Sequence, residues 1–377
     1  MDLDRLEAGA EREWDAFLRS CSGGLFVHSI AYRNLLVGEL GCEPEYLVAR
    51  EGGEIRGVLP VMWSEGAGGR ICNSLPYHGS HGGPVARDPR AARALIEAWN
   101  ERSSDASTIA STMIENPFLE PPAPDPLHEL TDERFTQFTV LPAGGDERDV
   151  LGLISPEARS NVRRASRRGV TVELDNAALA AVHEIHEETM ERFGAPPKSW
   201  RFFSEIPKQL RAGEDFDVWI ARVGDELAAA LLVIRFNGVS EYFTSGTREG
   251  FREHDPHSAL VFAALVHEAR RGSRIWIWGG TRDEAPADPP ARRRRSTNGG
   301  RVGEARNGAH GSCGRLDSDA AGNARRHPDQ QLEEGRRARR RRIARQSRGV
   351  EDRFHARRDE IPWALHRHSR SARLAAS

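Results

Sequence analysis

The sequence predicts an α/β protein of two similar units in tandem, each a mixed sheet flanked by helices, followed by a disordered Arg-rich tail. Three observations carry this: an internal repeat, a matched order of elements around each copy, and an abrupt change of composition near residue 284.

Residues 45–63 read EYLVAREGGEIRGVLPVMW and residues 217–235 read DVWIARVGDELAAALLVIR. At an offset of 172 they share Ala49/Ala221, Arg50/Arg222, Gly52/Gly224, Glu54/Glu226, Leu59/Leu231 and Val61/Val233. Each copy is an apolar run, a short acidic turn with glycine, and a second apolar run. That pattern is a β-hairpin, the glycine supplying a backbone conformation other residues resist.

The flanks correspond in order. Helical stretches precede each hairpin, 13–18 and 29–40 in the first unit and 177–193 in the second. A strand follows (70–75; 239–245), then a helix (89–102; 257–271), then a closing strand (107–114; 273–278). The Pro-rich ENPFLEPPAPDP, 115–126, is loop, and PAGGDERD, 142–149, separates the units. The expected spans are 1–148, 149–283 and a tail over 284–377.

Of the 377 residues 38% are apolar and 29% charged, enough for globular cores. No apolar run approaches the ~18–20 residues that span a bilayer, and the acidic start lacks a signal pattern, so a cytoplasmic location is expected. Four scattered cysteines exclude a disulfide framework and give no zinc spacing. Only two lysines occur, Lys198 and Lys208. Residues 288–377 hold 23 Arg and 11 acidic residues, a net of +12, whereas 1–287 carries a net of −14. Only ten of those last 90 residues are large apolar ones, too few for a core. Arg, Ala, Gly and Pro without Lys or Tyr is what GC-rich DNA gives when translated out of frame.

The stretches ISPEARSNVRRASRRGVTVE, RFFSEIPKQL, WIARVGDELAAALLVIRFNGVSEYFTSG and IWIWGGT resemble the Fem-like (FemAB/FemX-type) branch of the GNAT acyltransferase superfamily, with its BioF2-like acetyltransferase domain. LFVHSIAYRNLL, YLVAREGGEIRGVLPV and LPYHGSHGGPV agree in the first unit, so the resemblance spans roughly residues 10–281. It implies tandem GNAT-like domains and transfer of an acyl or aminoacyl group to an amine of a cell-wall or polysaccharide precursor. The implied donor is acyl-CoA or aminoacyl-tRNA, the acceptor a phosphate-linked amine, with no tightly bound cofactor. Nucleic acid enters as a partner only as that tRNA or through a genuine Arg-rich tail. Two other classes compete: an inactive Fem-like remnant, and a nucleic-acid binder using Arg292–Arg295 and Arg339–Arg342.

Residue by residue, Arg159 and Arg163 are i,i+4 neighbours beside Asn161 and Arg164, a phosphate clamp or else a solvated basic face. Tyr242, in EYFTSG with Ser245, is a candidate proton donor or amine-orienting group, or a core aromatic. In the family this strand splays from its neighbour to hold the donor. The next helix start, GFREHDPHSAL, lacks the GNAT glycine loop, leaving Asp255 or Ser258 as N-cap. Trp278 and Gly279 end IWIWGG, and the family's following aromatic, Lys-containing segment is missing. A sheet closing there leaves an unpaired edge. Tyr77 and the histidines of YHGSHGGP form a loop that can approach a ligand closely. His183 and His186 lack a third metal ligand and sit at the edge of a helix face marked by Val182, Ile185 and Phe193.

Overall fold

The computed structural model describes residues 1–66, 68–74, 81–119, 130–281 and 371–376. The first unit runs β1 (Asp2–Arg5), α1 (Glu11–Ser20), α2 (Ile30–Leu40), β2 (Glu43–Pro44), β3 (Leu47–Glu51), β4 (Glu54–Leu59), β5 (Met62–Gly66), β6 (Gly69–Ser74), β7 (Val85–Ala86), α3 (Pro89–Ser103), β8 (Thr108–Ile114) and β9 (Leu130–Val140). The second runs α4 (Glu147–Leu153), α5 (Pro156–Arg167), β10 (Val170–Leu174), α6 (Leu179–Phe193), α7 (Trp200–Gln209), β11 (Phe216–Val223), β12 (Glu226–Phe236), β13 (Val239–Thr247), α8 (Pro256–Arg270) and β14 (Ile275–Thr281). A last strand, β15, is Ser371–Ala376.

The helix starts are written locally. Ser29, Asp88 and Ser155 each accept a backbone N–H of the first turn, and Pro89 and Pro156 take the position whose N–H needs no partner. Both hairpins of the repeat form. Gly52 and Gly224 have φ of 61° and 59°, and both ladders slip at equivalent sites, Ala49/Arg50 and Ala221/Arg222. The two copies differ at Pro60, which aligns with Leu232. Pro60 has no N–H to give, so the run is cut into β4 and β5, whereas β12 continues unbroken for 11 residues.

That cut separates the sheets. A four-stranded sheet has the order β1-β3-β4-β7, and an eleven-stranded sheet the order β10-β11-β12-β13-β14-β9-β15-β8-β6-β5-β2. β9, in a stretch to which the sequence assigned no element, pairs antiparallel with β14 from Ile275↔Val140 to Thr281↔Phe135. The expectation of an unpaired edge after Trp278 is corrected on one side: β9 crosses from the preceding unit and pairs with β14 as far as Thr281, while pairing with β13 ends at Ile277. β15, within the span 284–377, pairs between β9 and β8. The rest of that tail, with both arginine runs, lies outside the described residues.

One core joins the units: Trp14, Phe17, Tyr32 and Leu36 of α1 and α2 share it with Phe202, Phe203 and Ile206 of α7 and with Val218 and Leu232 of the sheet. On the opposite sheet face, α4, α5 and α8 bury Val150, Ala158 and Leu265 against Leu231, Val233 and Trp276. β13 thus runs between two packed layers. Among the described residues no helix is long and apolar enough to cross a membrane.

Candidate active site

β13 and β14 are parallel and paired only at Val239↔Ile275, Ser240↔Trp276 and Glu241↔Ile277. Beyond Glu241 they part: β13 stays with β12 as far as Thr247, and β14 stays with β9 as far as Thr281. The result is a fork whose first residues are Tyr242 on one arm and Trp278 on the other. The splay expected of the central strand is present.

Both arms are irregular at the fork. β12 pairs Leu232 with Thr244 but Val233 with Tyr242, so Phe243 is an extra residue. In a regular strand, residues three apart face opposite sides. The bulge at Phe243 brings Tyr242 and Ser245 to the same side, and Ser245 Oγ donates to Tyr242 Oη. On β14 the register slips between Ile277 and Gly279, leaving Trp278 as the odd residue, its Nε1 donating to Thr139 Oγ1 at 3.0 Å. The rings of Tyr242 and Trp278 lie 5.9 Å apart, with Trp276 behind them.

The third member of the group is His257, which no sequence motif marks. Its Nε2 lies 2.7 Å from Tyr242 Oη. Burial pushes the imidazole down to about 4, so the ring is neutral near pH 7. It occupies the first turn of α8, where the positive end of the helix dipole also disfavours an imidazolium. The chain reaches that turn through Asp255, at φ 55°, with Pro256 next. Asp255, one of the two expected candidates, is the N-cap of α8, but its side chain makes no cap hydrogen bond. The Asp255 carboxylate is engaged by Arg164 instead, and holds that guanidinium above its ordinary value.

The arginine segment lies on α5, which packs along α8. Arg164 also donates to Asn161 Oδ1 at 2.8 Å, and Arg159 donates to the Leu151 carbonyl at 3.1 Å. Arg163 is exposed. Asn161 and Arg159 are thus held in place by protein partners, while Arg163 faces solvent. Gly279 is in β14 opposite Gln137. Tyr77 lies outside the described residues, as does His78. The loop is fastened where it re-enters: His28 Nε2 meets the Gly82 carbonyl at 3.0 Å, and Gly83 N donates to Ser74 Oγ at 3.2 Å. His81 is buried near Thr136.

His186 is not at a helix edge but buried, its Nε2 accepting the Lys198 N–H at 3.0 Å. The other face of the bulge is aromatic. Phe243 stacks on Phe202 at 6.0 Å, meets Phe26 and Tyr32 edge-on, and has Lys198 Nζ 5.7 Å from its centroid. Among the described residues, the metal-ligand types converge at Asp217, His267 and Glu268, whose ligand atoms lie within 4.8 Å of one another. Arg235 already supplies a cation there, pairing with both carboxylates two residues along β12 from Val233, the partner of Tyr242.

Residues 156–284 match the model of the acetyltransferase (GNAT) domain family. The fold is that of the solved structure of FemX, with a TM-score of 0.56 and 15% identity over 77% of this chain and 91% of that one. Weaker likenesses extend to the C-terminal DUF2156 domain of a putative lysylphosphatidylglycerol synthetase from Agrobacterium fabrum (TM-score 0.46, 13% identity, 73% and 80% covered). A tandem GNAT protein of the clavulanic acid biosynthesis pathway has a TM-score of 0.42 at 14% identity, with 75% and 90% covered. No curated protein sequence matches the chain.

Proposed function

We propose that this protein is an acyltransferase that moves an acyl or aminoacyl group to an amine of a phosphate-linked cell-wall or polysaccharide precursor. The observation that carries the reading is the β13/β14 fork with Tyr242 and Ser245 brought to one side at its apex. Strands that part leave backbone N–H and C=O groups able to hold an extended acyl donor, acyl-CoA or aminoacyl-tRNA, as an additional strand would be held. Tyr242 and Ser245 then handle protons at the reacting carbonyl, and Trp276 and Trp278 shield it from water. The rest of the rate comes from positioning rather than from a covalent nucleophile.

In this reading Arg163, free in solvent on α5, meets the acceptor phosphate, with Arg159 and Asn161 beside it. Gly279, on β14, borders the same cleft, and the reaction belongs to the cytoplasmic stage of envelope assembly. The test is direct. The full chain is incubated with acetyl-CoA or alanyl-tRNA and an amine acceptor carrying a pyrophosphate, UDP-glucosamine or a UDP-linked muropeptide, and the N-acylated product is quantified. Product with one donor, lost in Tyr242→Phe and Ser245→Ala, supports the reading. Neither donor binding nor being consumed overturns it.

A further inference from the structure

We propose that Phe243 determines which acyl group is transferred. Its ring ends the space beyond the fork apex, on the face turned to the first unit, and limits the group to a short acyl chain, acetyl or a small aminoacyl such as alanyl. This rests on the acyl-transfer reading above and deepens it by setting the size of the group that moves.

A donor held between the arms of the fork runs inward along β13 and β14 and meets their last paired residues, Glu241 and Ile277. The strands are joined there, so the acyl group cannot continue in the plane of the sheet and turns to one face. Toward α8 the way is filled. Tyr242, Trp276 and Trp278 are all buried, with ring centroids 5.7, 5.9 and 6.5 Å apart. That is also the face on which α5 carries Arg163, the side of the acceptor in the reading above. The acyl group therefore turns toward the first unit. On that face β13 presents Glu241 and, beside the apex, Phe243.

As the extra residue of the bulge, Phe243 has no partner on β12, and side chains alone hold its ring. It stacks on Phe202 at 6.0 Å with the planes 5° apart, and meets Phe26 at 6.0 Å and Tyr32 at 6.5 Å edge-on. Those three rings are buried in the core shared by the units, so Phe243 cannot swing back without disrupting close packing. Phe243 itself is only partly buried, one side of its ring on the core and the other toward the apex. Farther out along the arm α6 closes the same face, since a Cβ on Gly246 would lie 2.4 Å from Ile185 Cγ2. In the transfer the amine nitrogen bonds the acyl carbon, and the donor's thiolate or ribose oxygen leaves with the electron pair of the broken bond. The amine's proton passes to that leaving group. The acyl substituent keeps all its bonds, so its size decides only whether the carbonyl reaches its place. One methylene too many in an apolar space of this kind costs on the order of 10–200-fold in kcat/KM.

The full chain is assayed with UDP-glucosamine or a UDP-linked muropeptide as acceptor and acetyl-, butyryl- or hexanoyl-CoA as donor, and in parallel with alanyl- or leucyl-tRNA. The quantity read is the ratio of kcat/KM for the longer donor to that for the shorter one within a single preparation. That ratio does not depend on the folded fraction, so a purely structural Phe243 would leave it unmoved. Wild type is expected to favour acetyl over butyryl, or alanyl over leucyl, by ~10-fold or more, and Phe243→Ala to raise the long-to-short ratio by at least ~10-fold. Equal use of short and long donors by wild type, or a ratio unchanged in Phe243→Ala, overturns the proposal. If Phe243→Ala does not fold, Phe243→Leu, which keeps more of the apolar volume, must raise the butyryl-to-acetyl or leucyl-to-alanyl ratio, and an unchanged ratio there is equally fatal. Wild-type protein that consumes none of the five donors overturns the acyl-transfer reading and the size limit with it. Turnover without a size preference overturns the size limit alone.

Discussion

Arg235→Met tests whether the buried ion network beside the fork apex, on β12, fixes the sheet and helix that carry the site. Arg235 Nε lies 2.8 Å from both carboxylate oxygens of Glu268, and its Nη2 pairs with Asp217. The arginine side chain is 9% exposed and both carboxylates are 0% exposed. Ser240 of β13 and Ser273 donate to Glu268 at 2.5 and 2.8 Å, so the network ties β11, β12, β13 and α8 together. Removing the guanidinium leaves two buried carboxylates with only Ser240, Ser273, Asn176 and His267 as partners, a loss of ~3–5 kcal/mol. Spread over the ~280 residues of the two units, that lowers Tm by about 5–9 °C. Differential scanning calorimetry at pH 7 measures it, and a fall under ~1 °C would refute the reasoning, because it would mean the carboxylates were never charged and desolvated. The pH dependence supplies an internal check. Burial raises the Asp217 pKa, but His267, Arg235 and Asn176 outweigh it, so the folded value is lowered. Stability from Asp217 is therefore fully present above the unfolded carboxylate pKa of ~3.9 and is lost as pH falls through the folded value. Wild type and Arg235→Met should converge in that acid range.

Three further perturbations follow from the geometry. Arg159→Ala with Arg163→Ala should raise the Kd for UDP-glucosamine about tenfold, as loss of a charged clamp implies. The melt should move by no more than the ~1 kcal/mol of the Leu151 hydrogen bond, and an unchanged Kd by calorimetry removes the segment from the site. Gly246→Ala puts a Cβ 2.4 Å from Ile185 Cγ2 and 2.7 Å from Thr189 Oγ1, so α6 must back away from the fork arm. A cost of ~1–3 kcal/mol in urea unfolding is expected. Gly52→Ala and Gly224→Ala both place a side chain at positive φ with open space around it, so each should cost ~1 kcal/mol through backbone strain alone. Unequal costs in the same unfolding assay would contradict the equivalence of the two turns.

What could be read from the chain was local. The turn glycines at 52 and 224, the caps at Ser29, Asp88 and Ser155, and the apolar periodicity of α3, α6 and α8 each depend on a few neighbouring residues. The resemblance of EYFTSG and IWIWGG to a splayed pair pointed to the two strands that part. It could not give the bulge at Phe243, since a ladder slip depends on the partner strand. The strand β9 had a readable signal, the alternating aromatic and β-branched FTQFTV, yet nothing in it named β14 as its partner.

The sequence by itself determined the paired hairpins, the order of helices and strands in each unit, and the residue types at the fork. Tertiary structure alone decided that Pro60 divides one copy between two sheets, that β9 closes β14, and that Arg164 takes the carboxylate of Asp255. It also decided that His257 meets Tyr242 across the space between a helix start and a strand. The physical reason is the reach of each interaction. Turn chemistry and periodicity act within a few residues, whereas strand partners and buried hydrogen bonds are selected by packing between segments far apart in the chain.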